Sequence, residues 1–163
     1  MNTLIVYYSL TGTTRTVATA LARKLGADVE ELQCDRYSSN WRGMLRAGYD
    51  SWRNDLPTLG RFRHDPSNYN LVVIGGPIWT YRPCTPLRAY LRQERTRLPQ
   101  AAFFLTHGGS AAQRSLGEVE KLSRHAPVAT MVLREADVKG DRYSTALDSF
   151  ADSLRLPESK AAA

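Results

Sequence analysis

The sequence predicts a three-layer, doubly wound α/β fold on a five-stranded parallel sheet. Three observations point there: short unbroken runs of β-branched and aromatic residues, helical periodicity between them, and polar or glycine-bearing turns where the runs end. Strands covered on both faces read as continuous apolar runs. Their alternation with helices implies right-handed crossovers, with ligands bound beyond the carboxyl ends of the strands.

Thr3 to Tyr8 (TLIVYY) is the first such run. Polar Ser9-Leu10-Thr11-Gly12 follows, then a helix over Thr13–Leu25 with Val17, Leu21, Ala22 and Leu25 on one face and Gly26 as its stop. Asp28 to Gln33 alternates and reads as an edge-ward strand. Leu71 to Ile74 is the third strand, ending in Gly75-Gly76-Pro77, and Pro86 to Gln93 is a helix for which Thr85 and Pro86 suit the cap and first turn. Ala101 to Thr106 is the fourth strand, followed by a helix from Ala111 to about His125. Val128 to Leu133 and a helix over Ser144–Leu154 complete the pattern. The stretch from Asp35 to Asn70 exceeds a simple crossover and holds a helix over Trp41–Arg53, an insertion of the kind that shapes a site.

With 163 residues, 42% hydrophobic and 23% charged, the chain fits one globular domain, residues 1–157, with Glu158–Ala163 as a frayed tail. A chain of this length buries roughly 70% of its unfolded surface, enough to fold without disulfides. Cys34 and Cys84 are too few for a secreted framework or a zinc site, so a reducing, cytoplasmic setting is expected and no metal. The N-terminus lacks a signal-peptide pattern, and Leu71–Trp79 is half a membrane span, so no membrane association is expected. The net charge is +6, and Arg36 to Arg97 holds eleven arginines against Asp50, Asp55, Asp65 and Glu94. Codon composition and an anionic partner explain this basic middle equally well.

The turns after strands one, three and four converge in such a fold. Ser9-Leu10-Thr11-Gly12-Thr13-Thr14 offers four hydroxyls, a glycine and a helix N-terminus, which suits a phosphate monoester. Neither GxxxxGK[ST] nor GxGxxG is present, which argues against a nucleotide triphosphate loop and a Rossmann dinucleotide site. A Cys-nucleophile phosphatase is excluded because no Cys precedes Gln33, and a receiver domain because Tyr8-Ser9 and Gly76-Pro77 supply no acidic group. The second turn, Pro77-Ile78-Trp79-Thr80-Tyr81-Arg82-Pro83, can sandwich a planar ligand between aromatic rings. The third, Thr106-His107-Gly108-Gly109-Ser110, leaves backbone N–H groups open to a heterocycle's edge oxygens.

On these residues the chain resembles the flavodoxin family from Thr3 to Leu154. The first turn fits the family's [ST]-x-T-G-x-T phosphate pattern, and Gly-Gly-Pro-Ile-Trp after strand three looks like a variant seen in flavodoxin-like reductases. The resemblance implies strand order 2-1-3-4-5 and FMN as cofactor. Its phosphate would be held by Ser9, Thr11, Gly12, Thr13 and Thr14, and its ring by Pro77, Ile78, Trp79, Thr80 and Tyr81 with Thr106, His107, Gly108 and Gly109.

One departure is informative. Electron-carrying flavodoxins place carboxylates around the flavin, whereas neither Pro77–Thr85 nor Thr106–Ser115 contains Asp or Glu, and Arg82, His107 and Arg114 are present. Positive charge near N1 favours the fully reduced, anionic flavin. The expectation is therefore an oxidoreductase passing hydride from NADH or NADPH through FMN to a quinone or similar acceptor. His107 is the candidate hydrogen-bond or proton donor and Arg82 the counter-charge. The alternative is a non-enzymatic electron carrier docking a partner protein through its basic middle, and a third reading is a relative that has lost its flavin. A homo-oligomer is compatible with the resemblance.

Trp41, Leu45, Tyr49 and Trp52 share one helical face. An amphipathic helix packed on the sheet is the simpler expectation; a roof over the flavin, with Arg42, Arg46 and Arg53 attracting donor phosphates or an acidic partner, is the sharper one. Nucleic acid ranks below both. Cys84 precedes a helix N-terminus, where a thiol can be activated, but inert packing is the simpler reading.

Overall fold

The computed structural model describes residues 1–109 and 112–155. Within them lie β1 (Thr3–Tyr7), α1 (Thr13–Leu25), β2 (Asp28–Glu31), α2 (Trp41–Arg53), β3 (Leu71–Trp79), β4 (Arg82–Pro83) and α3 (Thr85–Glu94). They continue with β5 (Gln100–His107), α4 (Ala112–Ser123), β6 (Thr130–Arg134), α5 (Glu135–Lys139) and α6 (Ser144–Arg155). The expected tail, Glu158–Ala163, and the domain end at 157 lie outside the described residues, as do Ser110 and Ala111.

Five strands run parallel in the order β2-β1-β3-β5-β6, which is the expected 2-1-3-4-5 when those five are counted alone. A sixth, the two-residue β4, folds back antiparallel on the end of β3. Alternate residues of β1, with Tyr8 just past its end, feed two cores. Leu4, Val6 and Tyr8 pack with Ile74, Leu87, Phe103 and Val119 on one face; Ile5 and Tyr7 pack with Val17, Leu21, Phe104, Leu147 and Phe150 on the other. The starts of β1 and β3 are clipped together, Asn2 N donating to Asn70 Oδ1 and Asn70 N to Asn2 O.

Three sequence expectations change. First, β3 does not stop at Ile74. Gly75, Gly76 and Pro77 stay paired with Phe104, Leu105 and Thr106 of β5. The glycines serve close packing, because a Cβ on Gly75 would sit 2.0 Å from the Phe104 ring. Second, α3 is capped by Cys84 and begins at Thr85, whose hydroxyl donates to Tyr37 Oη. Burial pushes the Cys84 thiol up to about 12, which leaves it inert. Third, β2 ends at Glu31. Its buried Glu30 accepts from the backbone N–H groups of Arg63 and His64 and contacts His64 Nδ1 at 2.9 Å, which lays the irregular segment over this sheet edge.

The expected packing of α2 is reversed. Its buried residues are Gly43, Ala47, Asp50 and Ser51, while Trp41 (66% exposed), Met44, Leu45, Tyr49 and Trp52 (68%) face solvent. Beneath it lies a polar layer. Asp50 accepts from Arg36 Nε (2.7 Å) and Tyr37 Oη (3.0 Å). Buried Arg88 donates to Asn54 Oδ1 and Ser51 O, and Ser51 Oγ donates to Trp79 O. No helix among the described residues is long and apolar enough to cross a membrane.

Candidate functional site

The three turns named from the sequence do meet. A cavity of about 320 Å³ opens at the carboxyl edge of the sheet, lined by Leu10, Thr11, Thr13, Thr14, Pro77, Ile78, Trp79, Thr80, Thr106, His107 and Gly108. Met44, Ala47, Gly48 and Glu135 complete it. Its size falls in the range of small-molecule sites.

Gly12 holds the first turn at φ 96°, a conformation glycine adopts without penalty, and so caps α1 without a side-chain bond. Ser9 does not line the cavity; its Oγ accepts from Gly12 N and Arg15 N, both at 3.2 Å, and closes the turn from within. The N–H groups of Thr13 and Thr14 make no hydrogen bond among the described residues, so the open end of α1 faces the cavity as an anion site. Thr14 and Thr106 share a buried hydroxyl contact at 2.9 Å that ties this turn to β5.

The second turn is a hairpin, not an open loop. Trp79 pairs with Arg82, and the two residues between them, Thr80 (φ 48°) and Tyr81 (φ 63°), are both left-handed. Such a turn is ordinarily made by Asn-Gly, and a β-branched residue there is strained. Thr80 Oγ1 donates to Gly48 O, docking the hairpin on α2. Trp79 lines the cavity and is held edge-on by Tyr8 (5.6 Å between centroids) and Tyr37 (5.2 Å). Tyr81 points to solvent and Gly109 stands off the cavity. In the third turn, His107 Nδ1 is buried with no hydrogen-bond partner among the described residues, an orphan that a ligand in the cavity would satisfy.

The positive surround expected from the loop sequences is corrected by the fold. The Arg82 guanidinium is forked onto Glu118 of α4, its Nε 3.0 and 3.1 Å from the two carboxylate oxygens, and does not line the cavity. Arg114 is exposed on α4. A carboxylate, Glu135, does line the cavity, accepting from Thr11 Oγ1 (3.3 Å) and Thr13 Oγ1 (3.0 Å). The sequence reading missed Glu135 because it followed the ends of strands one, three and four and not that of strand five: Glu135 immediately follows β6, on the same sheet edge. Met44, Ala47 and Gly48 were missed because only the aromatic face of α2 was considered. Cys34 and Cys84 are free thiols, and no group of three or more His, Cys, Asp or Glu among the described residues could hold a metal.

A flavodoxin family model matches residues 2–141. A sequence search of curated proteins finds no match. Among solved structures, a flavoprotein in complex with FMN from Lactobacillus acidophilus NCFM is similar at TM-score 0.70 and 24% identity, covering 88% of this chain and 98% of its own. A protein assigned as a flavoprotein from Bacteroides eggerthii DSM 20697 gives 0.72 and 22%, covering 92% and 98%. An NADH:FMN oxidoreductase in its apo form gives 0.52 and 15%, covering 98% and 92%.

Proposed function

The chain belongs to the flavodoxin family, and from that premise we propose that it binds FMN in the strand-end cavity and works as a cytoplasmic oxidoreductase. Electrons pass from NADH or NADPH to a quinone or similar small acceptor. The observation that carries this reading is the convergence of the hydroxyl-rich turn, the Trp79 hairpin and the His107 turn on one cavity. The residues fit the cofactor: open N–H groups and hydroxyls at the start of α1 for a phosphate, and an orphaned His107 Nδ1 beside an aromatic wall for a polar ring edge. Bound there, FMN supplies reversible uptake of a hydride or of single electrons.

The chain's own groups have these roles. Thr11, Gly12, Thr13 and Thr14 hold the phosphate, with Ser9 shaping the turn around it. Pro77, Ile78, Trp79 and Thr80 form one side of the ring site, and Thr106, His107 and Gly108 the other. Tyr81 and Gly109 stay at the rim. His107, the one ionisable ring in the cavity wall among the described residues, hydrogen-bonds the cofactor.

Titrating the protein into FMN while following flavin fluorescence, then adding NADH or NADPH and a quinone, tests the reading. Quenching followed by bleaching and quinone turnover is expected. Absence of quenching would sink it.

One observation favours a second reading, an electron carrier that docks an acidic partner protein. The apolar face of α2 is uncovered among the described residues, adjoins the cavity through Met44 and Gly48, and is flanked by the exposed Arg42, Arg46 and Arg53. Arg42 lies over Trp41 and Arg53 over Tyr49, so the cations and rings form one surface. On this reading FMN binds without bleaching by NADH or NADPH. Reduction by an acidic electron-transfer protein is then fast, falls steeply with salt and slows at least tenfold in the W41S/W52S variant; indifference to both would eliminate it.

A further inference from the structure

The two hydroxyls best placed to hold a phosphate are already engaged. Thr11 Oγ1 and Thr13 Oγ1 both donate to one oxygen, Glu135 Oε1, at 3.3 and 3.0 Å. These residues are far apart in sequence, and the contact forms because β6 delivers Glu135 to the same sheet edge as the β1–α1 turn. The carboxylate lines the cavity, and its other oxygen lies 3.7 Å from where a Cβ on Gly108 would stand. An anion thus already sits on the two hydroxyls beside the open end of α1.

We infer that Glu135 is a specificity-determining residue, an intramolecular competitor for the phosphate subsite that sets how strongly the chain prefers a flavin phosphate over the uncharged flavin alcohol. The inference rests on the FMN reading above. A phosphate needs the Thr11 and Thr13 hydroxyls as donors, and its negative charge repels a carboxylate at contact distance. FMN therefore binds only as Glu135 withdraws. Lys139, one turn on in α5, already holds its Nζ 3.5 Å from the same oxygen and, being largely exposed, can follow the carboxylate as it withdraws. Riboflavin brings no anion into the turn and leaves Glu135 where it is.

The test compares FMN and riboflavin titrations of the wild-type protein, E135Q and E135A, each followed by flavin fluorescence, with thermal melts to confirm folding. Glu135→Gln keeps an acceptor for the two hydroxyls and removes the charge, whereas Glu135→Ala removes both. The expected result is FMN affinity raised at least tenfold in one or both variants, with riboflavin affinity changed less than threefold. FMN affinity unchanged within twofold, or a parallel loss for both flavins, would overturn the inference while leaving the FMN reading intact. Quenching by neither flavin in any of the three proteins would remove the FMN reading. Inorganic phosphate then decides on Glu135 alone: raising the melting temperature of the variants more than that of the wild type supports the competitor, and equal shifts overturn it.

Discussion

The turn after β1 and the helix after β2 face the same cavity but are built with opposite polarity. In the turn, hydroxyls and open N–H groups point into the cavity while Thr14 is anchored below on Thr106. In α2, Asp50 and Ser51 are turned inward and two tryptophans outward. The turn is built from small polar groups aimed at one point, two of them already held by Glu135, and its chemistry can be read from its side chains. The helix has its apolar side chains on the outside and its polar ones beneath. Its outward face carries Trp41, Met44, Leu45, Tyr49 and Trp52, each more than half exposed. In α2 side-chain polarity runs against burial; in the turn the two agree.

The strongest way to break this contrast is to remove the polar anchor of α2. Asp50→Ala leaves Tyr37 Oη and one arm of Arg36 without their acceptor, and should lower unfolding free energy by about 3 kcal/mol in urea melts. A loss below about 1 kcal/mol would mean that α2 is not held by its polar face. On the other side, Thr14→Val strands the Thr106 hydroxyl and should lower stability by about 2 kcal/mol in the same melts, the signature of a turn fixed from beneath.

Alkaline pH sharpens the comparison further. Burial, reinforced by the bond to Asp50, pushes the Tyr37 phenol up to about 12, although its bond from Thr85 works the other way. The folded state therefore keeps a proton that the unfolded chain loses near 10. That contribution is fully present below pH 10 and disappears as pH climbs through 12. Tyr7, on the opposite face of the sheet and also pushed up to about 12, mainly by burial, keeps its own share. Urea midpoints measured from pH 8 to 12 should fall less steeply in Tyr37→Phe than in the wild type, and parallel profiles would contradict the buried-phenol account. The smallest effect expected is the most diagnostic. The W41S/W52S variant should match wild-type stability to within about 0.5 kcal/mol, because those rings bury little; a clear loss would show that the apolar face already has a contact within the chain.

The parallel strands and the β1–α1 turn were legible because local pattern and tertiary role coincide there. TLIVYY is apolar because it is covered on both faces, and Gly12 is needed because the cap is left-handed. What escaped depended on approach from elsewhere. Gly75 and Gly76 look like the end of a strand until Phe104 and Leu87 are seen against them. Thr80-Tyr81 carries none of the usual signals of a two-residue turn, since surrounding contacts impose its left-handed backbone. Arg82 looked like a free cation because Glu118, its partner, lies on a helix more than thirty residues away. The periodicity of α2 located its apolar face correctly but could not say on which side the sheet lies.

The clip between Asn2 and Asn70 bears on how such a chain can change over time. By joining the starts of β1 and β3 it closes everything between them, α2 included, into an excursion tied at its base. Loop-closure entropy grows only logarithmically, about 0.6 kcal/mol for each doubling of length. Insertions, deletions or wholesale replacement in the outward part of that excursion thus leave the register of the central strands almost untouched. The outward face of α2 can drift quickly across lineages while the β1–α1 turn, which closes on β5 and α5, cannot.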